Sequence, residues 1–266
     1  MKINLPKYKL VEYSEKKNRY AICIPVINEG EKFINQLKKM QDSRMHESID
    51  IFICDAGSID GSTDDEILQK YDVTLKVVRL SPGHLSDQLM LGYYFAMQKG
   101  YEGTVTMDGN GKDGVDGIFK FIEALDKGFD MIQGSRYMEG GVAINTPKLR
   151  ELAIKLIHVP IINKLSGFEY TDTTNGFRAH SIRAFQDERV NPFRYSTFPT
   201  YSLIHYLTVR LPELNYRATE VPVLRQYPTK GKVPTKISPI KGNIDLLKIL
   251  YNLKKHVYDP KLEELR

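Results

Sequence analysis

The feature that most restricts the fold is an alternation in the first half of the chain. Short apolar runs take turns with amphipathic segments, and several runs end in a polar, glycine-bearing turn. Tyr20 to Val26, Ile49 to Cys54, Thr74 to Leu80, Gly103 to Met107 and Phe129 to Gln133 have the length and composition of buried strands. Between them, Glu31 to Met40, Thr63 to Lys70, His84 to Lys99 and Val115 to Leu125 read as helices. The first of these puts Phe33, Ile34, Leu37 and Met40 on one face. Strands alternating with helices predict an α/β chain: a mainly parallel sheet with helices on both faces. Such sheets bind ligands beyond the carboxyl ends of their strands, so the residues following each strand are the ones to inspect.

The second half is less regular. Pro147 to Leu165 reads as a helix that Pro160 should break or kink. Pro199 to Val209 and Ile244 to His256 read as helices, and Tyr216 to Val223 as a strand. With no repeat and no low-complexity linker, residues 1–266 are expected to form one domain. Residues 20–135 and 136–266 would be its two halves, the second ending in a basic loop and helix.

Charge and cysteine content exclude several classes. The 38 basic and 33 acidic residues leave a net charge of +5, too mild to argue for nucleic acid. The positive charge gathers late in the chain, at Arg225, Lys230, Lys232, Lys236, Lys241, Lys248, Lys254 and Lys255, which suits phosphates or an anionic membrane surface. No stretch approaches the ~20 apolar residues of a membrane span. Met1 to Leu10 lacks the apolar core of a secretory signal. Cys23 and Cys54, each inside a predicted strand, read as buried reduced thiols. A cytoplasmic location is expected, with the inner face of the membrane as the alternative.

Three strand ends carry chemistry: Pro25-Val26-Ile27-Asn28-Glu29-Gly30, Asp55-Ala56-Gly57-Ser58-Ile59-Asp60-Gly61-Ser62 and Asp108-Gly109-Asn110-Gly111-Lys112-Asp113-Gly114. One such turn is commonplace; three after successive strands suit a nucleotide. A carboxylate such as Asp55 can accept hydrogen bonds from a base or ribose. Glycines let backbone N–H groups approach phosphates. An acidic residue after the fourth strand can hold a divalent cation that bridges two phosphates.

The segments IPVINEGE, DAGSIDGS, MDGN, QGSRY and TDTTNGFR, in this order, resemble family 2 glycosyltransferases of the GT-A fold, most closely the dolichyl- and polyprenyl-phosphate sugar transferase branch. The resemblance covers roughly residues 20 to 225. It implies an inverting transferase that moves a sugar from a nucleotide diphosphate donor to a polyprenyl phosphate or a glycan. It also implies that Pro25, Asn28, Glu29, Asp55 and Ser58 contact the nucleotide, that Asp108 and Asn110 ligate Mg²⁺ or Mn²⁺, and that Arg136 meets a donor or acceptor phosphate.

The family pattern after strand four is Asp-x-Asp, often followed by glutamine two residues on. Here it is Asp108-Gly109-Asn110 and then Lys112. An amide oxygen is a weaker ligand for these cations than a carboxylate. Asp113 or Asp116 would replace the lost ligand, or Lys112 would itself neutralise the departing diphosphate. A catalytically silent nucleotide-binding module is the alternative reading of this site.

On the acceptor side, a hydroxyl needs a general base, and Asp172 is the candidate, its other reading being a turn cap. A phosphate monoester needs no base, because its second pKa is about 6 and it is already anionic at pH 7. It needs cations, and Arg136, Arg150 and Arg178 are available, with Ser135 as a hydrogen-bond donor; Arg178 could instead pair with Asp172. His84 and Asp87 read as helix-capping residues. Leu152 to Leu165 is apolar enough for a membrane interface or for burial against the sheet. Lys230 to Lys241 reads as a loop over the site.

Overall fold

The structure is a computed structural model and describes residues 1–228 and 239–261. Its centre is a sheet of eight strands in the order β1-β4-β3-β2-β5-β8-β6-β9. The strands are β1 Tyr8–Glu12, β2 Tyr20–Val26, β3 Asp50–Asp55, β4 Val73–Arg79, β5 Gly103–Thr106, β6 Met131–Ser135, β8 Arg178–Ser181 and β9 Ala218–Pro222. The predicted strands form its parallel block: β4, β3, β2 and β5 lie side by side and point the same way. The two strands that the apolar pattern did not announce run against it. β1 covers the edge beside β4, and β8 lies between β5 and β6, antiparallel to both. β8 is only four residues long and reads Arg-Ala-His-Ser, so it carries no apolar run. A second, two-stranded sheet pairs β7 (Val142–Ile144) with β10 (Leu224–Gln226).

Strand alternation sorts the core into two layers. Ala21, Cys23, Phe52, Cys54, Leu75 and Val77 face one side, toward α3 (Leu85–Gln98) and α8 (Ser202–Glu213). Ile22, Ile24, Ile51 and Ile53 face the other, toward α1 (Glu31–Asp42) and α4 (Gly117–Asp126). Both cysteines are buried and unbridged. On α3, the His84 and Asp87 pair forms a capping box, as the sequence suggested. The short helices α2 (Asp65–Lys70) and α7 (Ile182–Phe185) complete these layers.

Pro160 does not end its helix. α5 (Lys148–Ala153) widens into a π turn at Ile154–His158 and continues as α6 (Val159–Ser166), with the proline in the first turn of α6. Proline is tolerated in a first turn, where its missing N–H is not needed. The apolar run here divides: Ile154 and Ile162 are buried, while Leu149, Leu152, Leu156 and Ile157 are exposed. The last helix, α9 (Pro239–Lys254), packs on α6 and α8. Among the described residues, no helix is long and apolar enough to cross a membrane. The expected loop over 230–241 falls mostly outside the described residues.

Gln88 of α3 fixes the strand ends on which the site is built. Its buried amide donates to the Val26 carbonyl at 3.0 Å and to the Cys54 carbonyl at 2.9 Å. Gln88→Leu removes both bonds and is expected to lower stability by about 1–3 kcal/mol, read from the urea midpoint.

Candidate active site

The turns after β2 and β3 are laced together. The Asn28 amide N donates to Ser58 Oγ at 3.1 Å, the Ile59 N–H donates to Asn28 Oδ1 at 2.8 Å, and the Gly30 N–H donates to Asp60 Oδ2 at 2.8 Å. Asn28 adopts a left-handed conformation (φ 48°), which asparagine tolerates better than most residues. Asp55 is buried and organises its own loop. Its Oδ1 accepts from the Gly57 and Ser58 N–H groups and from Ser58 Oγ, and its Oδ2 accepts from Thr63 Oγ1. Burial opposes ionisation of Asp60, but its bonds from Ser62 and Gly30 hold its carboxyl below the usual range. Pro25 is buried within β2, beside Cys54.

The turn after β5 closes on this pair. Gly109 lies so close to β2 that a Cβ there would stand 2.9 Å from Val26 Cγ2. Asp108 is partly exposed, and its Oδ2 accepts from Arg225 Nη2 at 2.8 Å and from Asn110 Nδ2 at 3.3 Å. Desolvation works against its ionisation, yet Arg225, and after it Lys112 and Asn110, hold the carboxyl below the usual carboxylate range. Gly176 leaves open the space before the other oxygen, since a Cβ there would meet Asp108 Oδ1 at 2.9 Å. An ionised carboxylate with one oxygen openly approached fits a divalent cation; Asn110, the expected second ligand, turns its Nδ2 to Asp108 and accepts from the Lys112 N–H through Oδ1 at 3.3 Å, so its amide must rotate to ligate an ion. Asp113 is buried and turned to Arg225, not toward that space, and Asp116 is exposed at the start of α4. Elsewhere among the described residues, Glu213, His256 and Asp259 group their ligand atoms within 4.8 Å, but Arg210 already bridges Glu213 and Asp259.

Three cations gather round the Tyr227 ring, and two of them, Arg225 and Lys112, act on Asp108. Lys112 Nζ, Arg225 and Arg150 stand 5.4, 5.8 and 5.9 Å from the centre of the Tyr227 ring. Glu29 acts on Lys112 from the first turn. Tyr227 is buried, which would raise its hydroxyl pKa, but Arg150, Arg225 and Arg136 pull it below the ordinary tyrosine range. Tyr227 was not singled out by the sequence, and Arg225 entered only as one charge in a basic tail. Arg225 reaches the site because β10 is tied to the loop after β5: Gln226 N–H donates to the Lys112 carbonyl at 2.8 Å, and Gly114 N–H donates to the Leu224 carbonyl at 3.0 Å.

Four expected roles on the acceptor side change. Arg136 is buried and makes a bidentate pair with Asp172: Nε to Oδ2 at 2.6 Å and Nη2 to Oδ1 at 2.9 Å, with Thr174 Oγ1 a third partner at 2.9 Å. Neither side chain of the pair is more than 1% exposed. Asp172 also accepts from the backbone of Arg136 and Thr174. Burial notwithstanding, Arg136 holds Asp172 below the usual range, so it is a cap and an ion-pair partner rather than a base. Arg178 meets neither Asp172 nor an open surface. It is fully buried and donates to the carbonyls of Asn175, Ile204 and Thr173 and to Thr208 Oγ1. Desolvation without a carboxylate partner lowers its pKa to about 10. Ser135 is likewise buried; its Oγ contacts Thr171 Oγ1 and accepts from the Tyr137 and Met138 N–H groups, capping the turn after β6. Of the four cationic or donor candidates, Arg150 alone is exposed.

Comparison with known proteins gives the chain its relatives. No family model matches it. A polyprenol monophosphomannose synthase from Mycolicibacterium smegmatis is 29% identical over 168 residues, 61% of this chain and 61% of that protein. An undecaprenyl-phosphate mannosyltransferase from Micrococcus luteus is 27% identical over 210 residues, 77% of this chain and 82% of that protein. The match thus spans less than two thirds of the first relative's length. Among solved structures, glucosyl-3-phosphoglycerate synthase from Mycobacterium tuberculosis, in complex with Mn²⁺, UDP-glucose and phosphoglyceric acid, superposes with a TM-score of 0.60 at 12% identity, covering 91% of this chain and 81% of that one. The chain has the GT-A fold, and its sequence relatives are polyprenyl-phosphate mannosyltransferases of glycosyltransferase family 2.

Proposed function

We propose that the chain is an inverting glycosyltransferase that moves a sugar, mannose in the named relatives, from a nucleotide diphosphate donor to a polyprenyl phosphate. One observation carries this reading: Asp108, held ionised at the carboxyl ends of the parallel strands, is paired with Arg225 and lies in the field of Lys112, and both cations gather with Arg150 round the Tyr227 ring. In it, Asn28, Glu29, Asp55 and Ser58 shape the nucleotide pocket, and Pro25 fixes the strand from which the first turn springs. Asp108 and Asn110 are the residues to hold Mg²⁺ or Mn²⁺, which when bound would supply positive charge to the leaving diphosphate.

A phosphate acceptor is favoured over a glycan hydroxyl by the state of Asp172. Its carboxylate is enclosed and engaged by Arg136, so the base candidate that the sequence offered is not free to take a proton from an acceptor hydroxyl. An anionic phosphate attacks without one. Arg150 and Lys112 hold that phosphate, while Arg136 and Asp172 set the floor beneath it. The lipid would follow the exposed Leu149, Leu152, Leu156 and Ile157, beside the basic Lys148 and Lys155, so that the protein sits peripherally on the inner face of the membrane.

The donor half of the reading is tested by calorimetric titration of UDP, GDP, CDP and dTDP with Mn²⁺ present. One nucleotide is expected to bind, its sugar-bearing form to compete, and Asp108→Ala to weaken both. Absence of binding by all four to folded protein would end the reading.

A further inference from the structure

The site's charge balance differs from that of a pair of carboxylates awaiting a metal. Two carboxylates, Asp108 and Asp113, are met by two cations, Arg225 and Lys112. Arg225 is the hub. Its Nη1 donates to both oxygens of Asp113, at 2.9 and 2.7 Å, and to Asn175 Oδ1 at 3.3 Å, while its Nη2 reaches Asp108 at 2.8 Å. The guanidinium is held in place from several sides. An isolated antiparallel bridge pairs the backbones of Asp113 and Arg225, and β10 is hydrogen-bonded to β7 on its other side. Only 9% of the Arg225 side chain is exposed, so it cannot swing away as a surface arginine would.

A diphosphate approaching two bare carboxylates is repelled until a metal intervenes. Here that repulsion is already cancelled at the point where Asn110 has taken the place of a second acidic ligand. We infer that Arg225 is a resident cation of the leaving-group subsite, built in where Asn110 weakens the metal ligand set, so that a nucleoside diphosphate binds this chain without a divalent cation. The inference rests on the nucleotide-sugar reading above and assigns to Arg225 a share of the charge neutralisation that the metal otherwise supplies. A fixed, partly desolvated guanidinium is suited to this, because its charge already stands beside Asp108 and needs no reorganisation when the diphosphate arrives. The same positive charge beside Asp108 opposes metal entry, so Mn²⁺ should bind the apo protein less tightly than it binds once Arg225 is neutralised.

The test is calorimetry on the full chain with UDP, GDP, CDP and dTDP, first in EDTA and then with Mn²⁺. The wild type is expected to bind one nucleotide in EDTA. Arg225→Gln alone strands the buried Asp113 carboxylate, so it is paired with Asp113→Asn, which keeps an amide-to-amide contact. The double variant is expected to lose at least about tenfold in nucleotide affinity in EDTA, the weight of a hydrogen bond to a charged group, and to recover it with Mn²⁺. Direct titration of Mn²⁺ without nucleotide should show tighter binding to the double variant than to the wild type. Wild-type binding seen only with Mn²⁺ would overturn the inference and leave the donor reading standing. Equal EDTA affinity in the wild type and a folded double variant would also overturn it. Failure of every nucleotide under both conditions would overturn the two together. Should the double variant not fold, the wild-type comparison decides alone.

Discussion

Asp172→Ala is expected to lower stability by about 3–5 kcal/mol, because it strands the Arg136 guanidinium in the interior. The two side chains are 1% and 0% exposed, and Arg136 keeps only Thr174 Oγ1 as a side-chain partner once the carboxylate is gone. The loss reaches further than the pair. Asp172 also accepts from the N–H groups of Thr174 and Arg136, so its carboxylate ties the TDTTNG turn to the end of β6, beside the separate hold of Glu220 on the N–H groups of Thr171 and Asp172. The same turn carries Gly176, which sets the space before Asp108. Urea unfolding reads the effect as a shifted midpoint. Replacing both partners, as in Arg136→Met with Asp172→Leu, should cost less than the single change, since no charge is left unpaired. A single-variant loss below about 1 kcal/mol would mean that the pair is solvated in solution, as exposed pairs are.

Stability should also fall as pH drops from 6.5 toward 5, and three buried histidines are the cause. Burial pushes His158 down to about 4 and His180 to about 3, with Arg178 adding to both, and it places His205 well below the ordinary histidine value. A folded-state pKa below the unfolded value gives stability that is present above about pH 6.5 and is withdrawn as pH falls toward the folded value, because only the unfolded chain takes up the proton in that window. At pH 5 the linkage amounts to about 2 kcal/mol for each of His158 and His180. Asp87, Asp113 and Glu220, whose carboxyls burial lifts, act in the opposite sense, so a difference measurement is needed. His180 is the clean position. It packs against Tyr93 and Phe185, and neither ring nitrogen has a hydrogen-bond partner. His180→Phe should match the wild type or exceed it slightly at pH 7.5 and gain about 2 kcal/mol on it at pH 5. A variant whose stability runs parallel to the wild type between those pH values would show that His180 is hydrated or already paired.

What the sequence made legible divides along one physical line. Local patterns were readable. The parallel strands announced themselves by apolar runs, and the turns bearing Asn28, Asp55 and Asp108 by following them, because a parallel sheet collects its strand ends on one side. What depends on direction or on distant pairing was not. Ser135 and Arg178 belong to the motifs that the resemblance relies on, yet both side chains turn inward. Ser135 ends β6 and caps the next turn, while Arg178 opens β8, an antiparallel strand whose Arg-Ala-His-Ser sequence carries no strand signal. Arg136 and Asp172 were both named, but not as partners. Arg225 and Tyr227 reach the site only through the pairing of β10 with β7 and with the loop at Lys112, more than a hundred residues away in the chain. A basic residue two positions before a tyrosine carries no local mark of that destination.

The most direct test of glycosyl transfer to a lipid phosphate is a two-phase assay. The full chain is incubated with a labelled nucleotide sugar, mannose nucleotides first and then other sugar nucleotides in turn, Mn²⁺ and a short polyprenyl phosphate, and the mixture is extracted with organic solvent. Label is expected in the organic phase that depends on the polyprenyl phosphate, is labile to mild acid, and falls with Asp108→Ala and with Arg150→Ala. Label that stays in the aqueous phase for every sugar nucleotide, or that leaves it only when a glycan is offered in place of the lipid, would contradict it.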